Sequence, residues 1–492
     1  MEHRRRIIFR ADGNSRIGLG HVTRSLALVH MLRDVFECVF AIQSPEPALQ
    51  ERIREVCHGI IVLPPSAPSD DRFNHELDAY ISEEEIVVLD GYTFKTDYQQ
   101  NIKSRGAALV CIDDIHAYTF EADAVINQAG GVAAALYQSA PHTRLLLGPR
   151  FALLRPAFLK AARADRSIPA GELRVLVCMG GADPDNHTLK AIEALRAIPT
   201  VKQIEVVVGS AYTRLHELKI WLQDKPGISL HRDLSAESLR RLMSKCQAAV
   251  TSASGISYEY AAVGGVLFIK KTADNQDSMH HFLTQEGIAL DYVTLQERLS
   301  QGIADEAFST QVAAQRQHFD GRSDERLRHV FHGVSLATGL QIREATQSDL
   351  QLLFDWANDP EVRQHSFNPE PIPLENHTRW FHGKLDNPDT ILYIAEIDQV
   401  PAAHIRFDIK SSTATISYLI GADFRGKGLG HTVLMRGTKQ LLKQRPDVLL
   451  IEGLVQSENK ASVRSFEKAG FEYGKPDSQH PQAHRFVLSR QV

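Results

Sequence analysis

Short apolar runs recur through the first two thirds of the chain, each followed by a small-residue turn and then a segment with helical spacing. Val175-Leu-Val-Cys-Met179 before Gly180-Gly181 is one such unit. A strand that is apolar at nearly every position has no face to offer water, so it belongs inside a parallel sheet covered by helices. Two series of strands are expected: Ile7 to Phe9, Ile86 to Leu89, Ala108 to Ile112 and Ala124 to Ile126, then Arg174 to Met179, Glu205 to Val208, Ala248 to Thr251 and Val266 to Ile269. Between them lies Leu147 to Pro156, punctuated by Gly and Pro as a connection would be. The expected fold class is α/β: two doubly wound, Rossmann-like lobes at residues 1–150 and 151–335, facing each other across a cleft.

The pattern changes near Gln341. A strand, a turn and a helix capped by Thr346 or Ser348 lead to Leu392 to Glu396, His404 to Asp408 and Ala414 to Ile420, which read as consecutive antiparallel strands. A helix, a strand at Val448 to Val455 and a last helix and strand complete a separate α+β domain at residues 341–492. The length of 492 residues suits two or three domains.

A formal charge of −5 gives no basic face for nucleic acid. No uncharged stretch is long enough to cross a bilayer, and Asp12 and Asn14 interrupt the only N-terminal apolar run, so a cytoplasmic chain without membrane partners is expected. The 5 cysteines are scattered and lie in apolar runs, as core residues of a reducing compartment do.

The first strand runs into Arg10-Ala-Asp12-Gly-Asn-Ser-Arg-Ile-Gly18-Leu-Gly20-His21, after which Val22, Leu26, Val29 and Leu32 form a helical apolar face. Gly18 and Gly20 allow close backbone approach to a ligand, and His21 falls at the positive end of the helix dipole, which disfavours a charged imidazole. Such a histidine can accept a proton from water. A capping or packing histidine is the alternative.

In the second lobe, Gly180 and Gly181 end a strand and precede a helix, an arrangement that presents N–H groups to a phosphate. Asp183 and Asp185 form a DxD pattern that could hold a divalent metal, although Asp185 or Asn186 can equally cap the helix that follows. Ser254, Gly255 and Ile256 repeat the small-residue turn, with Glu259 placed to accept from ribose hydroxyls; Asn275 and Gln276 follow the next strand. Two such turns in one lobe favour a nucleotide over two ordinary caps.

Taken together, Arg10-x-Asp12-Gly13, Gly18-x-Gly20-His21-x-x-Arg24, Gly180-Gly181-x-Asp183 and Ser254-Gly255-x-x-x-Glu259 resemble the UDP-sugar hydrolases of pseudaminic acid biosynthesis, themselves similar to GT-B glycosyltransferases of the MurG type. The resemblance spans about residues 5–330. It implies that His21 is the catalytic base and that the second-lobe turns bind UDP. The implied reaction is inverting hydrolysis of UDP-2,4-diacetamido-2,4,6-trideoxy-β-L-altropyranose to the free sugar and UDP, without a metal. Asp12 is expected to orient His21 or the sugar, with Arg10, Arg24, Asp90, Asp113 and Asn127 as further sugar-side residues. Capping of local turns is the alternative for the last three.

Near the C-terminus, Tyr418-Leu419-Ile420-Gly-Ala-Asp-Phe-Arg425-Gly426-Lys427-Gly428-Leu429-Gly430 joins a strand to an apolar helix through a loop whose N–H groups can wrap a pyrophosphate. It resembles the acetyl-CoA loop of GNAT N-acetyltransferases, and Asn459-Lys-Ala-Ser-Val-Arg-Ser-Phe466 resembles that family's second signature. The resemblance implies acetyl-CoA as cosubstrate, held by the loop and Asn459. Phe466 stands where many GNAT enzymes carry a tyrosine acid, so the thiolate must be assisted by another donor, Tyr418 or Ser457, or by water, with Glu396 and Glu452 as possible proton acceptors.

The two resemblances concern consecutive steps, so a bifunctional enzyme is expected: N-acetylation of UDP-4-amino-4,6-dideoxy-β-L-AltNAc, then hydrolysis of the product. A glycosyltransferase, a legionaminic-type precursor and a non-enzymatic nucleotide sensor are the alternatives.

Overall fold

The computed structural model describes residues 4–13, 19–181, 183–273 and 276–490. Gly18 and Asn275 lie outside the described residues. By its internal contacts the chain divides into two compact units, Met1–Gln138 with Leu145–Arg328, and Ser139–Arg144 with His329–Val492.

The first unit holds two sheets. The first contains β1 (Arg6–Ala11), β2 (Glu37–Gln43), β3 (Gly59–Leu63), β4 (Ile86–Asp90), β5 (Ala108–Ile112), β6 (Ala124–Asn127) and β7 (Arg144–Leu147), in the order β3-β2-β1-β4-β5-β6-β7. The second contains β8 (Leu173–Cys178), β9 (Val201–Val208), β10 (Ile228–Arg232), β11 (Ala248–Ser252), β12 (Val266–Lys270) and β13 (Leu290–Asp291), in the order β10-β9-β8-β11-β12-β13. The pairings from β1 to β6 and throughout the second sheet are parallel. Both are Rossmann-like. In each, the first strand lies between the second and the fourth, so the chain reverses direction across the sheet there. Ligand crevices of such sheets open at the carboxyl ends of that strand pair.

All the strands expected for these lobes form. β2, β3 and β7 add to the first series and β10 and β13 to the second. Only four residues separate β2 from the helix Gly20–Leu32, so in the sequence its apolar run merges with the helical one. β10 is an edge strand of half-buried and exposed residues, without the fully apolar signature of its neighbours.

The second unit is built on β14 (Leu340–Glu344), β15 (Thr390–Ile397), β16 (Val400–Lys410), β17 (Thr413–Ile420), β18 (Leu450–Gln456), β19 (Glu472–Tyr473) and β20 (Ala483–Ser489), in the order β14-β15-β16-β17-β18-β20-β19. All neighbours are antiparallel except β17 and β18. This is the GNAT type of sheet. Of the two expected caps, Thr346 forms a capping box with Asp349, while Ser348 only hydrogen-bonds Thr346 Oγ1 at 2.7 Å.

β17 and β18 pair through three residues only: Thr413 with Leu450, Ala414 with Ile451 and Thr415 with Glu452. Past that point β17 stays on β16 as far as Ile420, and β18 stays on β20 as far as Gln456. The facing edges therefore diverge, leaving a wedge inside the sheet.

All five cysteines are free and buried. Among the described residues no helix is long and apolar enough to cross a membrane.

Candidate active sites

The carboxyl ends of β1 and β4 are adjacent because Ala11 pairs with Asp90. His21 starts the helix that follows β1, and its Nδ1 lies 2.7 Å from Asp90 Oδ1. Arg24, one helical turn on, donates from Nη2 to Oδ1 at 2.6 Å and from Nε to Oδ2 at 2.8 Å, and the Ser25 hydroxyl donates to Oδ2 at 3.1 Å. Burial pushes the Asp90 carboxyl up, but the Arg24 charge and the hydrogen bonds from His21 and Arg24 outweigh it and hold the group below the ordinary carboxylate range. An ionised Asp90 accepts from Nδ1–H and leaves Nε2 with its lone pair free. The 3.1 Å approach of Arg24 Nη2 to His21 Nδ1 is then two donors converging on one oxygen.

Tyr92 packs edge-on against the His21 ring at 4.9 Å, and its hydroxyl donates to Asp114 Oδ2 at 3.3 Å, where Arg24 Nη1 also binds at 2.8 Å. Burial, with Asp114, raises the Tyr92 hydroxyl to about 12. Neither Tyr92 nor Asp114 is marked by a motif; both follow strand ends that converge only in the folded sheet.

Asp12 does not orient His21. Its Oδ1 accepts from Arg10 Nη1 at 2.6 Å and from the Gln43 N–H at 3.0 Å, a bond that fastens the end of β1 to β2. The Arg10 side chain is fully buried, bonded to Glu76 at 2.7 Å and stacked over Phe94, so it braces the end of β1 instead of meeting a sugar. Asn127 spends its amide on the Tyr137 hydroxyl and the Ala129 N–H, and Asp113 accepts from Tyr137 and from the N–H groups of Ile115 and His116. Both cap turns. Gly20 faces open space at the first turn of its helix.

In the second sheet the equivalent strand pair is β8 and β11. Gly180 follows β8 with a φ of +92°, a conformation that favours glycine, and a Cβ there would stand 3.7 Å from Ser252 Oγ at the end of β11. Ser254 is the N-cap position of the helix Gly255–Val263, its hydroxyl 2.8 Å from that of Ser252. Gly181 and Gly255 have open space where a Cβ would stand, and Ile256 lies in the same first turn. Two bare backbone turns thus sit side by side, as an anion site requires.

Glu259 is not free for a ribose. Both its oxygens accept from Arg155, each at 2.7 Å, and burial raises its carboxyl despite that partner. Gln276 Oε1 accepts from the Thr272 N–H at 2.8 Å and closes its own turn. Asp183, expected only as part of the DxD pattern, caps the helix His187–Arg196 by accepting from His187 N–H at 2.8 Å and Thr188 N–H at 2.7 Å, whereas Asn186, one of the two expected caps, makes no side-chain cap bond. Among the described residues no group of three or more His, Cys, Asp or Glu side chains converges as metal ligands do.

In the second unit the wedge between β17 and β18 opens into two cavities. One, of about 560 Å³, is lined by Leu419 and Ile420 of β17, by Arg425, Gly426, Gly428, Leu429 and Gly430 of the loop, and by Asn459. Gly426 and Gly428 have φ of +73° and +77°, the left-handed conformations that turn successive N–H groups toward one point. Asn459 caps the helix Lys460–Lys468 by accepting from the Ser462 N–H at 3.0 Å. The Arg425 guanidinium is taken up by Asp359 at 2.9 Å and Glu361 at 3.1 Å, and Lys427 lies over the Phe424 ring and outside the cavity lining, so the loop contributes backbone more than charge.

The other cavity, of about 580 Å³, includes Arg363, His365, His377, Trp380, His404 and Arg406 in its wall, and no carboxylate. Phe466 lies between this cavity and an aromatic core, stacked on Phe486 at 5.1 Å and edge-on to Tyr418 at 5.9 Å. Glu396 and Glu452 are not its proton acceptors: Glu396 is bonded to Arg343 at 2.7 Å, Glu452 to Arg485 Nε at 3.0 Å, and neither lines either of these two cavities. Ser457 lines neither; Tyr418 lines both.

Residues 340–472 match the acetyltransferase (GNAT) domain family. The N-terminal region resembles two named proteins. The UDP-2,4-diacetamido-2,4,6-trideoxy-beta-L-altropyranose hydrolase of Campylobacter jejuni is 26% identical over 297 residues, 58% of this chain and 99% of that one. The spore coat polysaccharide biosynthesis protein SpsG of Bacillus subtilis is 25% identical over 289 residues, 57% of this chain and 81% of that one. An uncharacterised protein of Methanocaldococcus jannaschii is 24% identical over 483 residues, 94% of this chain and 95% of its own length. The class so defined is a chain in which a region similar to a nucleotide-sugar hydrolase is joined to a GNAT domain. The alignment with the archaeal relative runs through both parts.

Proposed function

We propose that the chain is a bifunctional nucleotide-sugar enzyme that N-acetylates UDP-4-amino-4,6-dideoxy-β-L-AltNAc with acetyl-CoA and hydrolyses UDP-2,4-diacetamido-2,4,6-trideoxy-β-L-altropyranose to the free sugar and UDP, with inversion. Residues 1–150 supply the base and the sugar side, residues 151–335 the UDP side, and residues 341–492 the acetyltransferase.

The observation that carries the hydrolase reading is the His21–Asp90 pair at the carboxyl ends of β1 and β4. His21 Nε2 takes a proton from water as the oxygen attacks C1 of the sugar; the C1–O bond breaks and the electron pair leaves with UDP. A diphosphate leaves readily as an anion, so one base suffices, and the bare turns at Gly180–Gly181 and Ser254–Gly255 meet the developing charge with N–H groups. No step needs a metal.

The acetyltransferase reading is supported by the wedge, whose unpaired strand edges suit the amides of pantetheine, and by the glycine loop, which suits its pyrophosphate. The acceptor cavity holds two arginines and no carboxylate. That lining favours an amine carried on an anion, such as a nucleotide diphosphate sugar, over a polycationic amine.

Incubation of the protein with the amino sugar nucleotide and acetyl-CoA should release CoA and then UDP. UDP release without any sugar acceptor separates hydrolase from glycosyltransferase. Release of neither product rejects the proposal.

A further inference from the structure

The two cavities of the GNAT domain share a wall, and the residues on that wall face both. Acetyl transfer has two proton problems: the attacking amine must lose a proton, and the departing thiolate must gain one. Groups that solve them belong where the amine and the thioester meet. Among the described residues on the shared wall, His365 is the one imidazole and Tyr418 is the one phenol.

Other candidates for the base fail on geometry. The acceptor cavity contains no carboxylate. Glu361, at the rim of the other cavity, is bonded to Arg425. His377 and His404 each keep a buried Nε2 without a partner, and burial together with Arg406 and His377 lowers His404 to about 3. His365 sits on neither sheet nor core, at the C-terminal end of the short helix Pro360–Gln364, where it lines both cavities.

Tyr418 has what Phe466 lacks. Its hydroxyl is hydrogen-bonded to Ser462 and Ser465, and a Cβ on Gly430, where the glycine loop enters its helix, would stand 3.3 Å from it. The hydroxyl therefore lies between the loop and the N-terminal turn of the helix Lys460–Lys468. Burial raises its titration above the ordinary tyrosine value, so it keeps its proton until a strong base forms beside it.

We infer that His365 is the general base and Tyr418 the general acid of acetyl transfer in this chain. The inference rests on the acetyltransferase reading above. The amine nitrogen attacks the thioester carbon, a C–N bond forms, and His365 takes the nitrogen's proton. As the C–S bond breaks, the sulfur keeps the electron pair and takes the Tyr418 proton, directly or through Ser462. Water returns the proton from imidazolium to phenolate, leaving amide and CoA thiol.

The test uses the full-length chain, acetyl-CoA and UDP-4-amino-4,6-dideoxy-β-L-AltNAc, with CoA thiol release read against pH and acetyl-CoA affinity read by calorimetry. His365→Ala should lower kcat by about 10²-fold, keep acetyl-CoA affinity, and regain rate when imidazole is added. Tyr418→Phe should lower kcat comparably, and Tyr418→Phe/Phe466→Tyr should recover part of it by restoring a hydroxyl on the adjacent ring. Wild-type rates and pH profiles in His365→Ala or Tyr418→Phe overturn the assignment while leaving the acetyltransferase reading intact. A wild-type chain that binds no acetyl-CoA and releases no thiol overturns both.

Discussion

His21 and Asp90 are 69 residues apart in the chain and 2.7 Å apart in the fold, and Asp90 is a full acceptor for His21, Arg24 and Ser25 at once. The carboxylate fixes which ring nitrogen carries the proton, a role that no other described residue holds for His21. Asp90→Asn leaves an oxygen for one donor and removes the charge that holds the tautomer. UDP release should fall by about 10²-fold or more, with substrate affinity changed far less. A variant that hydrolyses at the wild-type rate would separate Asp90 from the chemistry.

The same carboxylate sets a pH dependence of stability. Its folded-state titration lies below the ordinary carboxylate value, so Asp90 contributes stability above that ordinary value and loses it as pH falls through the lowered one. Arg24 stays charged throughout. Urea unfolding midpoints should therefore drop between neutral and strongly acid solution more steeply in the wild type than in Asp90→Asn. Parallel curves would show that the pair carries no such linkage.

Arg155 and Glu259 form a two-pronged pair with both side chains mostly buried. Removing either partner strands a charge, at a cost of about 3 kcal/mol. Arg155→Ala and Glu259→Ala should each destabilise by that order in urea, and the double variant by clearly less than their sum. An additive double variant would mean that the two side chains act independently.

Gly453 stands at the wedge with no room for a side chain. A Cβ there would lie 2.7 Å from Phe466 Cε1 and Cζ and 3.1 Å from Ile416 Cγ2. Gly453→Ala must push the ring toward the acceptor cavity, so a loss of about 1–3 kcal/mol and a raised KM for the amine are expected. Gly453→Ala/Phe466→Leu, with a smaller and more pliable neighbour, should regain part of both. Thermal unfolding and steady-state kinetics decide the matter.

Much of the framework was readable because fully buried parallel strands write themselves as apolar runs: Ala108 to Ile112 has the same bounds in sequence and structure. The GNAT loop was readable because its glycines are spaced by backbone need, and Gly426 and Gly428 do adopt left-handed φ. What could not be read is which strand ends become neighbours. Asp12 is nearer His21 along the chain, yet the β1–β2 edge claims it, while Asp90 arrives through the β1–β4 register. Arg155 lies in the connection expected between the lobes, and nothing in its surroundings names Glu259 as its partner. His365 caps the end of a helix too short for periodicity to mark. The hairpin turn at Asp398–Gln399, with both φ positive, lacks the Asn-Gly or Asp-Gly pair that usually announces it.

The three-rung pairing of β17 with β18 has a further consequence for how the chain survives without cosubstrate. Peptide groups that lack a mate normally sit on the perimeter of a sheet, where a foreign polypeptide can zip onto them and seed fibrils. Here the unsatisfied stretch is flanked on both sides by strands that remain bonded to their outer neighbours, so it is reachable by a slender thread of amides but too confined for another chain. Amide hydrogens of Ile416 to Ile420 and Gly453 to Gln456 that point into the opening should exchange quickly in the empty protein and slow when coenzyme A fills it.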